Sequence, residues 1–174
     1  MKKILCLVLA MCFLFCTACK NNTVKPSDAV TEGKDIKETT EITLYYPDKQ
    51  GISLVSETRK VESDDKNHLA KKVVEKLIDG PETDGLLTLI PDGTKLNAID
   101  VKDGLCTVDF SAEFINNSNS GSASETLLVY SVVNSLAELE DIDEVLFLID
   151  GKTVEIFGNF IFDEPFEADN ELNK

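Results

Sequence analysis

Residues 96–110 read LNAIDVKDGLCTVDF, and this stretch decides the fold. Its two halves, 96–102 and 105–110, alternate between apolar and polar side chains, as half-buried strands do. Between them stand Asp103 and Gly104, a pair that tolerates the positive φ angles of a tight type I′ turn. The stretch therefore predicts an antiparallel hairpin. One face of its second strand is predicted to be buried: Cys106, Val108 and Phe110.

One helix is predicted on each side of this hairpin. Over residues 65–79 the apolar side chains recur every three or four positions, and Gly80-Pro81 ends the pattern. The second helix is predicted from Ser122 to about residue 139. Ser122 and Glu125 have the spacing of a capping box, in which each side chain bonds a free backbone N–H of the first turn.

Further strands are predicted at residues 42–46, 54–61, 145–149 and 153–157, the last two as a hairpin that turns on Asp150-Gly151. The element order is then strand, strand, helix, strand, strand, helix, strand, strand. This order predicts an α+β fold, a mixed or antiparallel sheet with two helices packed on one face. A single sheet face can bury both helical stripes in one core.

The N-terminus has the layout of a secretory signal peptide over residues 1–18. Two lysines precede an apolar run that is too short to span a bilayer comfortably. Small residues then stand directly before Cys19, as in bacterial lipoproteins, although Cys16 occupies a position where leucine is expected. We therefore expect a lipid on Cys19, with acyl chains such as palmitate. The chain is predicted to be anchored at the extracytoplasmic face of the cell membrane; an ordinary cleaved signal peptide is the alternative.

Charge and cysteine content narrow the possible functions. The chain carries a net charge of −15, which becomes −17 without residues 1–18 because they hold two lysines and no acid. Such a chain lacks the basic surface that nucleic acids require, so nucleic-acid binding is excluded. Cys106 is the last cysteine after Cys19, so no disulfide can form within the exported domain. Residues 19–40 are predicted to be a polar tether, 41–166 the domain, and 167–174 an acidic tail.

Candidate catalytic and metal-binding residues are few, and the sequence predicts no catalytic residue, no metal and no cofactor. His68 is the single histidine and is expected at the surface, while Cys106 is expected in the core. An EF-hand loop counted from Asp141 fails, since Leu146 and Lys152 stand where glycine and glutamate are required. The acidic run at residues 138–144 is therefore interpreted as a solvated turn, and weak calcium binding stays open.

A candidate interaction surface is predicted on the second hairpin and the loop after it. On the strand that buries Cys106, the alternate residues Thr107 and Asp109 should face outward. The polar loop that follows is expected beside them. The predicted surface comprises Thr107, Asp109, Asn116, Asn117 and Ser118.

Four segments in the same order resemble the GerMN domain family, which occurs in sporulation and spore-germination proteins and other envelope lipoproteins. These segments are residues 77–81, 90–94, 108–114 and 145–151. The resemblance implies a fold similar to the ring-building motifs of secretion systems, and a module that binds proteins without known catalysis. Its partners would be envelope or sporulation proteins, and a homo-oligomer stays open. The alternative function is a hydrolase or binding protein acting on cell-wall glycan.

Overall fold

The computed structural model describes residues 39–119 and 121–174. The predicted signal peptide, Cys19 and nearly all of the predicted tether lie outside the described residues. The first described elements are the antiparallel strands β1 (Thr39–Pro47) and β2 (Leu54–Glu62). Asp48 fixes the turn between them, because its carboxylate accepts the Ile52 N–H at 3.0 Å and the Ser53 hydroxyl at 3.1 Å.

The helix α1 (Lys66–Asp79) confirms the prediction for residues 65–79. Asp65 caps its start by accepting the His68 backbone N–H at 2.8 Å. Gly80 ends it at a φ of 86°, in the left-handed region that glycine favours. One stripe of the helix is buried: Ala70, Val73, Val74 and Leu77.

The predicted central hairpin is also confirmed, as β3 (Leu96–Lys102) and β4 (Gly104–Phe110). Both of its turn residues adopt positive φ, 51° at Asp103 and 88° at Gly104. Next to β4 lies β5 (Ile142–Ile149), which runs parallel to it, and the short β8 (Phe166–Glu167) pairs antiparallel with β5. The strand order is β3-β4-β5-β8, a mixed sheet.

The connection from β4 to β5 contains two helices. The short α2 (Glu113–Asn116), which the sequence analysis did not predict, buries Phe114 against Phe110 with ring centroids 4.5 Å apart. The longer α3 (Ser122–Ala137) contacts α1, β1 and β5, while α1 contacts β3. Both helices share one core cluster with the buried side of the sheet, so the predicted α+β class is confirmed.

The predicted capping box at Ser122 is wrong. The helix begins at Ser122 itself, and Gly121 occupies the N-cap position with a φ of 143° and no side chain to offer. Because Ser122 already lies inside the first turn, its hydroxyl makes no capping bond. Glu125 nevertheless reaches back as predicted, and its Oε1 accepts the Gly121 N–H at 3.4 Å.

The predicted final hairpin is wrong beyond its turn. Asp150 and Gly151 do turn the chain, but only Ile149 and Lys152 form a bridge there. The chain then leaves β5 and forms a separate small hairpin from β6 (Ile156–Phe157) and β7 (Phe160–Ile161). Burial of aromatic rings explains the departure, since one cluster collects these side chains around the sheet: Phe114, Phe147, Phe157, Phe162 and Phe166.

The predicted acidic tail, residues 167–174, folds back onto the first hairpin. Residues Asn170–Leu172 form a 3-10 turn. The backbone N–H of Lys174 then donates to the Leu54 carbonyl at 2.9 Å, and its Nζ lies 2.7 Å from Asp48 Oδ2. The ammonium group holds the pKa of the Asp48 carboxyl well below its usual range. These contacts join the end of the chain to the β1–β2 turn.

A buried ion pair on β2 holds the end of α1. Arg59 and Glu57 are each 7% exposed, and Arg59 Nε donates to Glu57 Oε1 at 2.7 Å. Arg59 Nη2 also donates to the Gly80 carbonyl at 2.7 Å, while Glu57 accepts the Thr83 N–H at 2.7 Å. Burial opposes ionisation of Glu57, but these hydrogen bonds outweigh it and lower the pKa of its carboxyl. The pair thus satisfies backbone groups that the turn after α1 leaves free.

We predict that Glu57→Gln lowers the free energy of unfolding by about 3 kcal/mol, because it removes the buried counter-charge of the Arg59 guanidinium and leaves only the exposed Glu82 carboxylate, 3.6 Å from Nη1. Urea unfolding at pH 7 measures the difference. The matched control is Glu41→Gln, which breaks an exposed pair with Lys60 at 3.9 Å on the same two strands. It should cost less than about 1 kcal/mol, and an equal loss in both variants would contradict the assignment.

The effect of Glu57→Gln should also depend on pH. A carboxyl whose pKa is lowered by folding stabilises the protein above its unfolded pKa, which is near 4.5 for Glu57. This contribution disappears as the pH falls through the folded pKa. The difference in free energy of unfolding between the wild type and Glu57→Gln should therefore be largest at neutral pH and disappear in acid. Urea unfolding across a pH series measures it.

Candidate interaction surface

The mixed sheet has one buried face and one open face. On β4 and β5 the buried side chains alternate along each strand, and all of them are 0% exposed: Cys106, Val108, Phe110, Val145 and Phe147. Their neighbours along each strand must point the other way. Thr107 and Asp109 are half-buried on that other side, as the sequence predicted.

Strand register arranges this open face in two rows. Asp100, Thr107 and Leu146 lie side by side across β3, β4 and β5, and Ala98, Asp109 and Leu148 form the next row. Each row runs from the edge strand β3 to an aliphatic side chain on β5. We use the name open face for the six residues of these two rows: Ala98, Asp100, Thr107, Asp109, Leu146 and Leu148.

Sequence reasoning missed four members of this surface: Ala98 and Asp100 on β3, and Leu146 and Leu148 on β5. Every residue from 145 to 149 is apolar, so alternation alone cannot separate buried positions from outward ones. The parallel register with β4 would have separated them, because it places both leucines beside the outward Thr107 and Asp109. Both leucines are half-buried by their neighbours. The surface therefore has two aliphatic side chains at its β5 end, beside polar side chains on β3 and β4.

Asp109 also has a structural contact. Its Oδ1 accepts the Gly151 N–H at 2.9 Å, and the Asp150 N–H donates to the Phe110 carbonyl at 2.9 Å. The end of β4 thus holds the turn that follows β5. Asp109 belongs to the segment 108–114 and Gly151 to the segment 145–151, so two of the segments quoted above contact each other.

The predicted loop residues make their own contacts. Asn117 Nδ2 donates to the Asp92 carbonyl at 2.9 Å, and the Ser118 hydroxyl donates to the Ile115 carbonyl at 2.8 Å. Asn116 is exposed at the end of α2. Among the residues that the structure describes, no hydrogen bond joins these three to Thr107 or Asp109. Thr107 and Asp109 lie on the sheet, and Asn117 contacts the 90–94 segment through Asp92.

His68 and Cys106 lie in unlike environments. The His68 ring contacts Asp64 through Nδ1 at the half-buried start of α1. Cys106 is fully buried, and burial, followed by the charge of Asp100, raises the pKa of its thiol to about 12. A thiol with this pKa is protonated at neutral pH and is a poor nucleophile. Within the described part of the chain, no hydrogen bond joins the two side chains.

The acidic run at residues 138–144 covers the turn between α3 and β5 and continues into β5, which contains Asp143 and Glu144. Glu138 accepts the Tyr45 hydroxyl at 2.7 Å, and burial together with this carboxylate raises the pKa of Tyr45 to about 12. Over residues 39–119 and 121–174, no group of three His, Cys, Asp or Glu side chains is placed to hold a metal ion. In the same ranges no helix is both long enough and apolar enough to cross a membrane.

Several solved structures are similar to this chain, whereas no curated protein matches it. A lipoprotein candidate from Clostridium perfringens is 25% identical with a TM-score of 0.56, over 80% of this chain and 95% of that one. The tandem GerMN domains of the sporulation protein GerM from Bacillus subtilis are 24% identical with a TM-score of 0.61, over 77% of this chain and 47% of that one. The first GerMN domain of GerM alone is 23% identical with a TM-score of 0.57, over 76% and 98%.

The two GerM structures support the fold that was expected from the resemblance. Their structural likeness covers 77% and 76% of this chain, although the sequences are only 24% and 23% identical. The family model described as Germane, sporulation and spore germination, matches residues 43–155. This match runs from β1 to the segment after β5 and includes the whole open face. The chain belongs to the Germane family of sporulation and spore germination.

Proposed function

We propose that this protein is a lipoprotein of the cell envelope, anchored at the extracytoplasmic face through Cys19, whose GerMN domain binds other proteins in sporulation or spore germination without catalysis. The observation that carries the proposal is the Germane match over residues 43–155. The open face provides a surface for protein binding. Among the described residues, the Cys106 thiol is buried and protonated, so it is a poor nucleophile.

Two observations support the lipid anchor. The signal-peptide pattern ends at Cys19, and a similar structure is described as a lipoprotein candidate. A chain with a net charge of −15 is also repelled by anionic lipid, so electrostatics would not hold it at a membrane. The lipoprotein modification supplies at least two acyl chains, and two are enough for stable anchoring.

Cys19→Ser should move the protein from the membrane to the soluble fraction while the domain stays folded, because the substitution removes the lipid attachment point. Fractionation with immunoblotting measures the distribution, and thermal unfolding checks the fold. Cys6→Ser is the matched control, since it removes a thiol from the same segment without touching the attachment point. Retention of Cys19→Ser at the membrane would contradict the anchor.

The open face gives the protein-binding proposal its surface. Leu146 and Leu148 provide aliphatic area for a partner, while Asp100, Thr107 and Asp109 provide polar groups that orient it. Interfaces commonly combine an apolar centre with polar surroundings, and a few central side chains supply most of the affinity. The proposal therefore concentrates binding on the two leucines.

The double variant Leu146→Ser and Leu148→Ser should reduce recovery of partners about tenfold or more. Cross-linking and pull-down from membranes of vegetative and sporulating cells, quantified by mass spectrometry, measures the recovery. The matched control is Ile156→Ser with Ile161→Ser, which removes two aliphatic side chains that are each 57% exposed on the β6–β7 hairpin. Loss in the control alone would place the interface on that hairpin and contradict the proposal.

We expect no turnover when the purified chain is incubated with cell-wall glycan, as measured by release of reducing ends. Glycoside hydrolysis needs two carboxylates set across a cleft, and Asp109 instead uses one oxygen to hold the Gly151 N–H. Wall cleavage that disappears in a folded Asp109→Asn variant would overturn the non-catalytic assignment.

A further inference from the structure

A groove of about 380 Å³ opens at the end of the domain opposite the Asp109–Gly151 contact. Its walls come from the start of β1, the start of α1, the end of β3 and the turn between α3 and β5. It shares no residue with the open face. From the sequence, the acids of this turn are expected to be solvated, and the proposed function does not use them.

The floor of the groove is apolar. Val101 and Ile142 are each 4% exposed and belong to the main core, and Leu69 and Leu139 pack against that core while remaining half-buried. The groove thus reaches the surface of the hydrophobic core itself. An aliphatic side chain seated there would exchange contact with water for contact with four aliphatic residues.

The rim of the groove is acidic. Four carboxylates line it together with the ammonium group of Lys66: Glu41, Glu138, Glu140 and Asp141. One of them, Glu41, pairs with Lys60 at 3.9 Å. The Tyr45 hydroxyl fixes Glu138 by donating to Oε1 at 2.7 Å. A second pocket, at the β3–β4 turn and along β5 and β8, has a charged lining that is entirely acidic: Asp103, Asp143, Glu144 and Glu167.

We propose that this groove docks a segment of a partner protein in which an aliphatic side chain is flanked by lysine or arginine. The apolar floor selects the aliphatic side chain, and the carboxylates on the rim select the flanking cations by charge complementarity. Anionic lipid is repelled by the same carboxylates, and a second copy carries the same acidic surplus. The inference rests on the proposed protein-binding function but uses a separate surface.

The test uses the full chain in non-ionic detergent and a fluorescein-labelled peptide of two leucines flanked on each side by two lysines. Fluorescence anisotropy should show saturable binding that weakens about tenfold or more when salt rises from about 50 mM to about 500 mM. A peptide with serine in place of leucine, and one with glutamate in place of lysine, should each bind about tenfold or more weakly than the parent.

Charge reversal locates the site. Glu140→Lys with Asp141→Lys should weaken binding of the leucine peptide about tenfold or more, because it replaces two attractive charges by repulsive ones. The matched control, Glu155→Lys with Glu164→Lys, changes two exposed acids outside the groove by the same net charge and should change binding less than about twofold. Circular dichroism melting checks that both variants fold.

The proposal is overturned if the leucine peptide shows no saturable binding, if the serine peptide binds equally well, or if both charge reversals weaken binding alike. The last two results would indicate general attraction to an acidic surface. Self-association of the chain that Glu140→Lys with Asp141→Lys abolishes would also overturn it. The Leu146→Ser and Leu148→Ser variant should bind the peptide normally, so failure of the groove and failure of the open face are distinguishable.

Discussion

The parallel pairing of β4 with β5 is the constraint on which the rest of the domain depends. Parallel neighbours cannot be joined by a tight turn, so the chain has to cross a face of the sheet between them. The crossover contains α2 and α3, and α3 joins α1 on the buried side of the sheet. Within residues 39–119 and 121–174 the opposite side receives no helix, and the parallel register places Leu146 and Leu148 there beside Thr107 and Asp109. The open face is thus a consequence of the topology.

The short segments by which the sequence resembles its family are explained by contacts within the fold. The turn after α1 is held by Arg59, which bonds the Gly80 carbonyl from β2. The turn after β5 is held by Asp109 through the Gly151 N–H. In both places a buried or half-buried charged group satisfies the backbone of a turn, and the glycine supplies a positive φ. These residue types are therefore required for structure, whatever the domain binds.

The elements that were predicted correctly from the sequence are those whose signals lie in neighbouring residues. The hairpin at Asp103-Gly104 and the helix that ends at Gly80 each carry their signals within a few residues. Of what sequence reasoning missed, the capping box is a local pattern that fails because the helix already begins at Ser122, and the rest depends on distant packing. Asp150-Gly151 has the same turn chemistry, but the strand expected after it is drawn away because Phe157 packs against Phe114 and Phe162. Likewise alternation oriented Thr107 and Asp109 correctly, whereas the uniformly apolar β5 gave no such signal.

The groove and the open face are both held in place by the same strand of the sheet, β5. Ile142, at the start of β5, forms part of the groove floor, and Leu146 and Leu148 of the same strand lie on the open face. A strand fixed between β4 and β8 holds both surfaces in place without requiring the domain to move on binding. Their chemistry differs, because the open face joins aliphatic area to a few polar groups, whereas the groove is surrounded by carboxylates. In a chain with this acidic surplus, long-range attraction favours basic partners, and the apolar floor is what distinguishes one basic segment from another.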